Sequence, residues 1–380
     1  MLAKNLHLQK VVIFSPHPRA KKVTNKCVQI MRDVLAREGA PADIAQCIEQ
    51  PSIALTQELM KRVDLVISTG GRPMVKSAYS SGTPAYGSGV GNATVIIDDT
   101  ANTYVNGVSE EILGNVLGAK RQYAVISGKV GFPVETAAHP GDPNCRGLSR
   151  RHILLEVENS LRRLNTDWLD ICYLHVQDAN TPLEESLRAM DDLVRSGKVR
   201  YVGLSNYAAW RICDAHWIAR ENHLNGPVAA QMVYNLLTRG IEPELLPLLK
   251  EKNIGLCTFN PLAGGFLTGK YTPGVPAPGT RFATSKAYVP RYWYDENFRA
   301  LHDLTQIASD TGCKLPELSF RWLLSQELVD SVVVGFSRPE QLEENLNYFD
   351  EAPLDPGTLA RCDRVWGGLA GNRFPYHRTI

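Results

Sequence analysis

Eight cysteines stand in 380 residues, yet no two are spaced C-x-x-C, so the commonest zinc and dithiol signatures are missing. Neither charge is in surplus. The 41 Lys and Arg against 40 Asp and Glu leave a formal net charge of +1, which argues against nucleic acid or an anionic membrane as partner. No apolar run approaches the roughly 18 residues of a membrane span, and the first residues carry no charged-then-apolar leader. The expectation is a cytoplasmic protein with no membrane, nucleic-acid or metal partner; oligomeric state is left open.

What the chain does have is core. It is 44% hydrophobic and 21% charged, the composition of a folded protein. Its length suits one large barrel with an addition, or two to three ordinary domains.

Residues 1–98 alternate strand and helix. Val11-Val-Ile-Phe14 reads as a buried strand, broken by S-P-H-P. Lys21–Glu38 follows as a helix with Val23, Cys27, Ile30, Met31, Val34 and Leu35 on one face, which is expected to pack inward. Gly39 is placed to cap its end. A strand at Ile44–Ile48, a helix at Ile53–Lys61 and a strand at Val63–Ser68 complete a β-α-β-α-β rhythm of Rossmann-like type.

From Thr94 the same alternation continues. Thr94–Ile97, Tyr123–Ile126, Leu169–Leu174, Val199–Leu204, Val228–Val233, Ile254–Phe259 and Ser331–Val334 read as seven strands. Ser149 is expected to cap a helix over 150–164. Thr181-Pro-Leu-Glu184 reads as a capping box for a helix ending at Gly197. A long insertion, Tyr271–Asn297, lies between the seventh barrel position and its helix. Seven parallel strands make a (β/α)8 barrel that lacks one βα unit, and an open gap would expose unpaired edges. Val63–Thr69 with a helix over Arg72–Ser80 is the nearest pair that could fill it; the other arrangement is an open barrel beside a separate small sheet.

Four residues at strand ends carry the chemistry: Asp99, Tyr104, Lys129 and His175. Reducing a carbonyl with a nicotinamide requires a proton donor and stabilisation of the developing alkoxide. Tyr104 can donate, although a free phenol has a pKa of about 10. An ammonium beside it, Lys129, lowers that value. Asp99 holds the lysine, and His175 orients the carbonyl. An Asp, a Tyr five residues on, then a Lys and a His from the next two strands resembles the aldo-keto reductase tetrad.

That resemblance covers almost all of residues 99–380 and implies an NADPH/NADP cofactor. Ser205, Asn206 (within G-L-S-N) and Gln231 match the family's carboxamide-binding positions. Phe259 stands where an aromatic stacks on the nicotinamide. Asn260, Leu262 and Gly264 in N-P-L-A-G-G resemble the loop over the pyrophosphate, with Lys270 and Arg281 to neutralise it. Gly335, Ser337 and Arg338 open a helix suited to a 2′-phosphate, and Gln341, Glu344 and Asn345 would face the adenosine. The G-K-Y, G-T-R-F and S-R-P-E-Q-L-E-E-N strings look most like the branch reducing aflatoxin-type dialdehydes.

A second resemblance covers residues 10–100. V-I-F-S-P-H-P-R-A-K-K, I-E-Q-P-S-I-A-L-T-Q-E-L-M and S-T-G-G-R-P-M-V-K-S-A-Y-S-S-G resemble the cofactor-binding half of a coenzyme-A-acylating aldehyde dehydrogenase. The segment that bears that family's nucleophilic Cys is absent. The string D-T-A at Asp99-Thr-Ala101 belongs to both families, so the chain reads as a gene fusion of a 1–98 fragment with a 99–380 barrel. The resemblance implies NADPH-dependent reduction of a small-molecule aldehyde or ketone. The alternative is an impaired or inactive fusion that at most binds dinucleotide, and acylating dehydrogenase activity is the third and weakest reading.

Overall fold

The computed structural model describes residues 11–16, 20–70, 77–78, 80–83, 85–89, 96–101, 107–132, 143–285, 287–349 and 351–371. The chain divides into two units, Met1–Thr94 and Val95–Ile380. The helix expected over Arg72–Ser80 lies mostly outside the described residues.

In the first unit β1 (Val12–Phe14) pairs in parallel with β2 (Ala45–Cys47), and β3 (Val66–Gly70) with β4 (Ala85–Gly89). Among the described residues these are two separate two-stranded sheets, in place of the single Rossmann-like sheet expected. The helix Lys21–Arg37 ends in a Gly39 at φ 73°, a conformation that favours glycine. Most of its expected inward face is turned outward, and of the six residues only Leu35 is half-buried. Val23 is 69% exposed and Ile30 52%, Met31, Val34 and Cys27 are exposed too, and the buried residue of the helix is Val28. The sheet beneath it has two strands of three residues each, so it covers one narrow stripe of the helix, on the side of Val28, and leaves the rest to solvent.

Among the described residues the second unit is built on seven parallel strands in the order β11-β10-β9-β8-β7-β6-β5. They are β5 (Ile96–Ala101), β6 (Val125–Val130), β7 (Leu169–Leu174), β8 (Val199–Ser205), β9 (Pro227–Val233), β10 (Gly255–Phe259) and β11 (Ser331–Val332). Helices follow the strands, so the sheet curls as part of a barrel, with buried Ile126, Val130, Ile153, Leu187, Leu204 and Ala230 in its core. Among the described residues the sheet ends at β5 on one side and β11 on the other. Among the described residues the expected filling strand is not a member of that sheet: β3 is laddered to β4.

Local signals explain most of these elements. Ser149 caps the helix Arg150–Leu164 by accepting from the His152 N–H, and Ile153, Val157, Leu161 and Leu164 are buried at helical spacing. The capping box at Thr181 does not form. Pro182 is the N-cap of the helix Leu183–Arg195, and the Thr181 hydroxyl donates instead to Asp178. The helix Val108–Leu117 packs on the helix Arg150–Leu164 through Gly114, where a Cβ would come 2.7 Å from the Arg163 carbonyl oxygen. Val108, Ile112 and Val116 lie exposed on its other side.

The insertion after β10 is packed rather than loose. Short helices at Arg281–Thr284 and Val289–Tyr292 fold over a second core in which Phe266 contacts Tyr271, Phe282, Tyr292, Trp293 and Phe298.

Candidate active site

Buried polar side chains are uncommon in a barrel core, so their position is informative. Four of them, among the described residues, stand at or near the C-terminal ends of neighbouring strands. Lys129 is 2% exposed, Ser205 1%, Gln231 2% and His175 7%. Barrel enzymes keep their chemistry at this end.

The ladder brings these residues together. Lys129 is the register partner of Ala101 on one side and Tyr173 on the other. His175 follows directly on β7, its N–H bonded to the Val130 carbonyl at 2.9 Å, and its ring meets Phe132 edge to face at 4.5 Å. Ser205 is paired with Gln231, and Gln231 with Cys257. Burial pushes the Cys172 thiol up to about 12, so it is a poor nucleophile. Asp99 lies within β5, where the register slips between Ile97 and Thr100. Its side chain and the whole of Tyr104 lie outside the described residues.

Asn206 and Asn260 stand just past β8 and β10, both at positive φ, 60° and 63°. Asn tolerates this region better than most residues. The Asn206 amide donates to the His175 carbonyl and to Ser205 Oγ, each at 3.0 Å, which ties the β7 and β8 ends together. Phe259 closes β10, half-buried, and Leu262 follows in the next turn. Asn260 accepts from the Gly264 N–H at 2.6 Å and donates to the Tyr292 hydroxyl at 2.9 Å. Wholly buried Asn235 donates to the Asn260 carbonyl at 3.0 Å. Sequence reasoning missed Asn235 and Tyr292. The signal was a polar residue two places past β9, where an apolar one would suit the core.

The remaining predicted residues fall into two groups. Gly264 is covered by Tyr288, whose ring a Cβ would meet at 2.4 Å. Arg281 lies over that same ring at 5.3 Å, and Lys270 over Tyr271 at 5.1 Å, so all three border one aromatic cluster. The second group opens the helix Pro339–Tyr348. Gly335 precedes it, and Arg338 is its N-cap, with no side chain bonded there. Gln341 accepts from the Ser337 N–H and hydroxyl at 2.9 and 3.0 Å. Glu344 accepts from Lys314 at 2.5 Å and from the Tyr348 hydroxyl, which hold its carboxyl below the usual range, and Asn345 is buried. Among the described residues, no cluster of His, Cys, Asp and Glu could hold a metal ion.

Comparison with known proteins gives a consistent picture. The model of the aldo/keto reductase family matches residues 92–367. A probable voltage-gated potassium channel subunit beta of Arabidopsis thaliana is 39% identical over 274 residues, covering 70% of this chain and 82% of that protein. The aflatoxin B1 aldehyde reductase member 2 of Mus musculus is 35% identical over 288 residues, 72% of this chain and 76% of its own length.

Proposed function

Because this chain belongs to the aldo/keto reductase family, we propose that it reduces aldehydes or ketones to alcohols with NADPH, using Tyr104 as proton donor. Carbonyl reduction is the chemistry of the family; the cofactor, the donor and the substrate class are the proposal. The observation that carries it is Lys129, an ammonium 2% exposed at the mouth of a barrel strand, with His175 at the end of the next. Burying a lysine is costly unless its charge is used.

In this reading Lys129 favours the phenolate form of Tyr104 and so makes the phenol acidic enough to give up its proton. Asp99 positions the lysine. His175, braced by Phe132, orients the carbonyl oxygen. The residues present fit a nicotinamide dinucleotide: buried Ser205 and Gln231 offer a hydroxyl and an amide to a carboxamide, and Phe259 an aromatic face. Asn260, Leu262, Gly264, Lys270 and Arg281 would hold the pyrophosphate. Gly335, Ser337 and Arg338 would take the adenosine 2′-phosphate at a helix N-terminus that no side chain caps, and Gln341, Glu344 and Asn345 would face the adenosine. When bound, NADPH supplies the hydride.

The 1–98 segment is read as an aldehyde-dehydrogenase-like fragment fused at Asp99-Thr-Ala101, ahead of a 99–380 reductase barrel. One observation favours a second reading, an impaired protein that at most binds dinucleotide: among the described residues the sheet has seven strands and ends at β5, next to the site. Loss of NADPH absorbance at 340 nm with 4-nitrobenzaldehyde separates the two. Turnover abolished in Tyr104→Phe supports the reductase. Turnover unchanged in that variant rejects the assigned proton donor, and tight NADPH binding without turnover supports the impaired protein.

A further inference from the structure

The outward face of the helix Lys21–Arg37 has a regularity that exposure by chance would not give. Val23, Cys27, Ile30 and Val34 are spaced 4, 3 and 4, the d-a-d-a order of a coiled-coil seam. All four are exposed, Val23 at 69% and Ile30 at 52%. The covered side is a different set, buried Val28 with half-buried Thr24, Asn25 and Leu35. At 100° per residue, Val28 and Ile30 point about 200° apart.

The geometry points to a second copy of this chain as the occupant of that seam, its helix antiparallel to the first. Charge decides both partner and direction. In the antiparallel register Val23 faces Val34 of the other copy and Cys27 faces Ile30. Lys26 then flanks Asp33 of the other copy, and two-fold symmetry repeats the pair. The parallel register sets Asp33 beside Glu38 of the other copy and leaves Lys26 beside an apolar Met31, so it gains no charge pair and suffers one repulsion. The same sequence is therefore complementary to itself in one direction only.

Four core layers bury less than the roughly 800 Å² per partner of a standard stable interface. The dimer therefore forms reversibly as concentration rises. The surface lies in the first unit and owes nothing to the reductase reading.

Sedimentation velocity of the full chain over a concentration series is the test. The expected result is a monomer–dimer equilibrium whose dissociation constant rises at least tenfold in Ile30→Glu and in Lys26→Asp, and returns to within about threefold in Lys26→Asp combined with Asp33→Lys. Circular dichroism confirms folding, since these side chains are exposed. Mild oxidation of Ile30→Cys should join Cys27 of one copy to the introduced thiol of the other. A monomer at all concentrations, a dimer indifferent to Ile30→Glu, no recovery in the charge swap, or a Cys27–Cys27 bond in the parent chain would each overturn the proposal.

Discussion

Lys129 on β6 stands directly across from Ala101 on β5, and between Ile97 and Thr100 β5 carries one residue more than β6. Asp99 lies in that extra length of backbone. Bulges of this kind recur beside active sites, where they re-aim a side chain. Lys129→Met keeps the buried volume and removes the charge. It should lower kcat for carbonyl reduction by about 10²–10⁴-fold, the usual worth of a positioned acid–base group, while NADPH binding followed by fluorescence changes far less. Equal losses in kcat and in cofactor affinity would contradict the assignment.

Tyr173 and Gly203 are register partners on β7 and β8, and the Tyr173 ring lies where a Gly203 Cβ would be, 2.4 Å away. Tyr173 is 1% exposed and has no room to retreat. Gly203→Ala should therefore cost about 1–3 kcal/mol by overpacking, read as a lower urea midpoint with an unchanged m-value. A variant as stable as the parent would show that the ring moves freely.

These two positions show what the sequence discloses. The ends of β7 to β10 fall within one residue of their apolar runs, whereas β6 continues to Val130, four residues past Ile126, where its apolar run stops. Ser149 announces its helix by cap chemistry, which is local. The Asn235–Asn260–Tyr292 bonds join residues up to 57 apart and follow no local pattern. The helix Lys21–Arg37 shows the opposite failure: its periodicity was plain, but periodicity names a face without saying what covers it. Thr181 lost its capping role to a competing acceptor, Asp178.

Glu110 is wholly buried and pairs with Arg163 at 2.5 Å. Burial raises its carboxyl pKa, and Arg163 opposes that rise. A raised carboxyl pKa means that the folded state holds the proton more tightly; its contribution is present below about 4.5 and fades as pH climbs through the folded value. Arg163→Met leaves the carboxylate uncompensated and should cost about 3–5 kcal/mol at pH 7. Part of that loss should return on acidifying toward pH 5. A loss independent of pH would place the damage in packing alone.

His152 is fully buried in the first turn of its helix, and burial lowers its pKa below 6.5, against Glu156 and the Phe132 and Asn144 carbonyls. The unfolded chain then binds a proton that the folded one refuses. Stability is full above pH 6.5 and falls as pH drops toward the folded value, by up to about 1.4 kcal/mol per pH unit. Urea midpoints at pH 7, 6 and 5 should show this slope, and His152→Leu should flatten it. An identical slope in the variant would assign it to another group.

Phe266 is wholly buried and sits at 4.9 Å from the Phe298 ring and 5.8 Å from Phe282, so one side chain joins β10's following turn to the insertion and to the helix Asp295–Asp310. The Trp293 indole adds a bond to the Gly274 carbonyl at 2.6 Å, pinning the insertion's outer limb. Phe266→Ala should cost about 3–5 kcal/mol, the range for deleting a buried aromatic. Trp293→Phe keeps the ring contacts, loses only the indole bond, and should cost nearer 1 kcal/mol. Protease nicking between residues 271 and 297 should rise steeply in the first variant and little in the second. Equal protection in both would mean that the insertion is held by contacts other than this cluster.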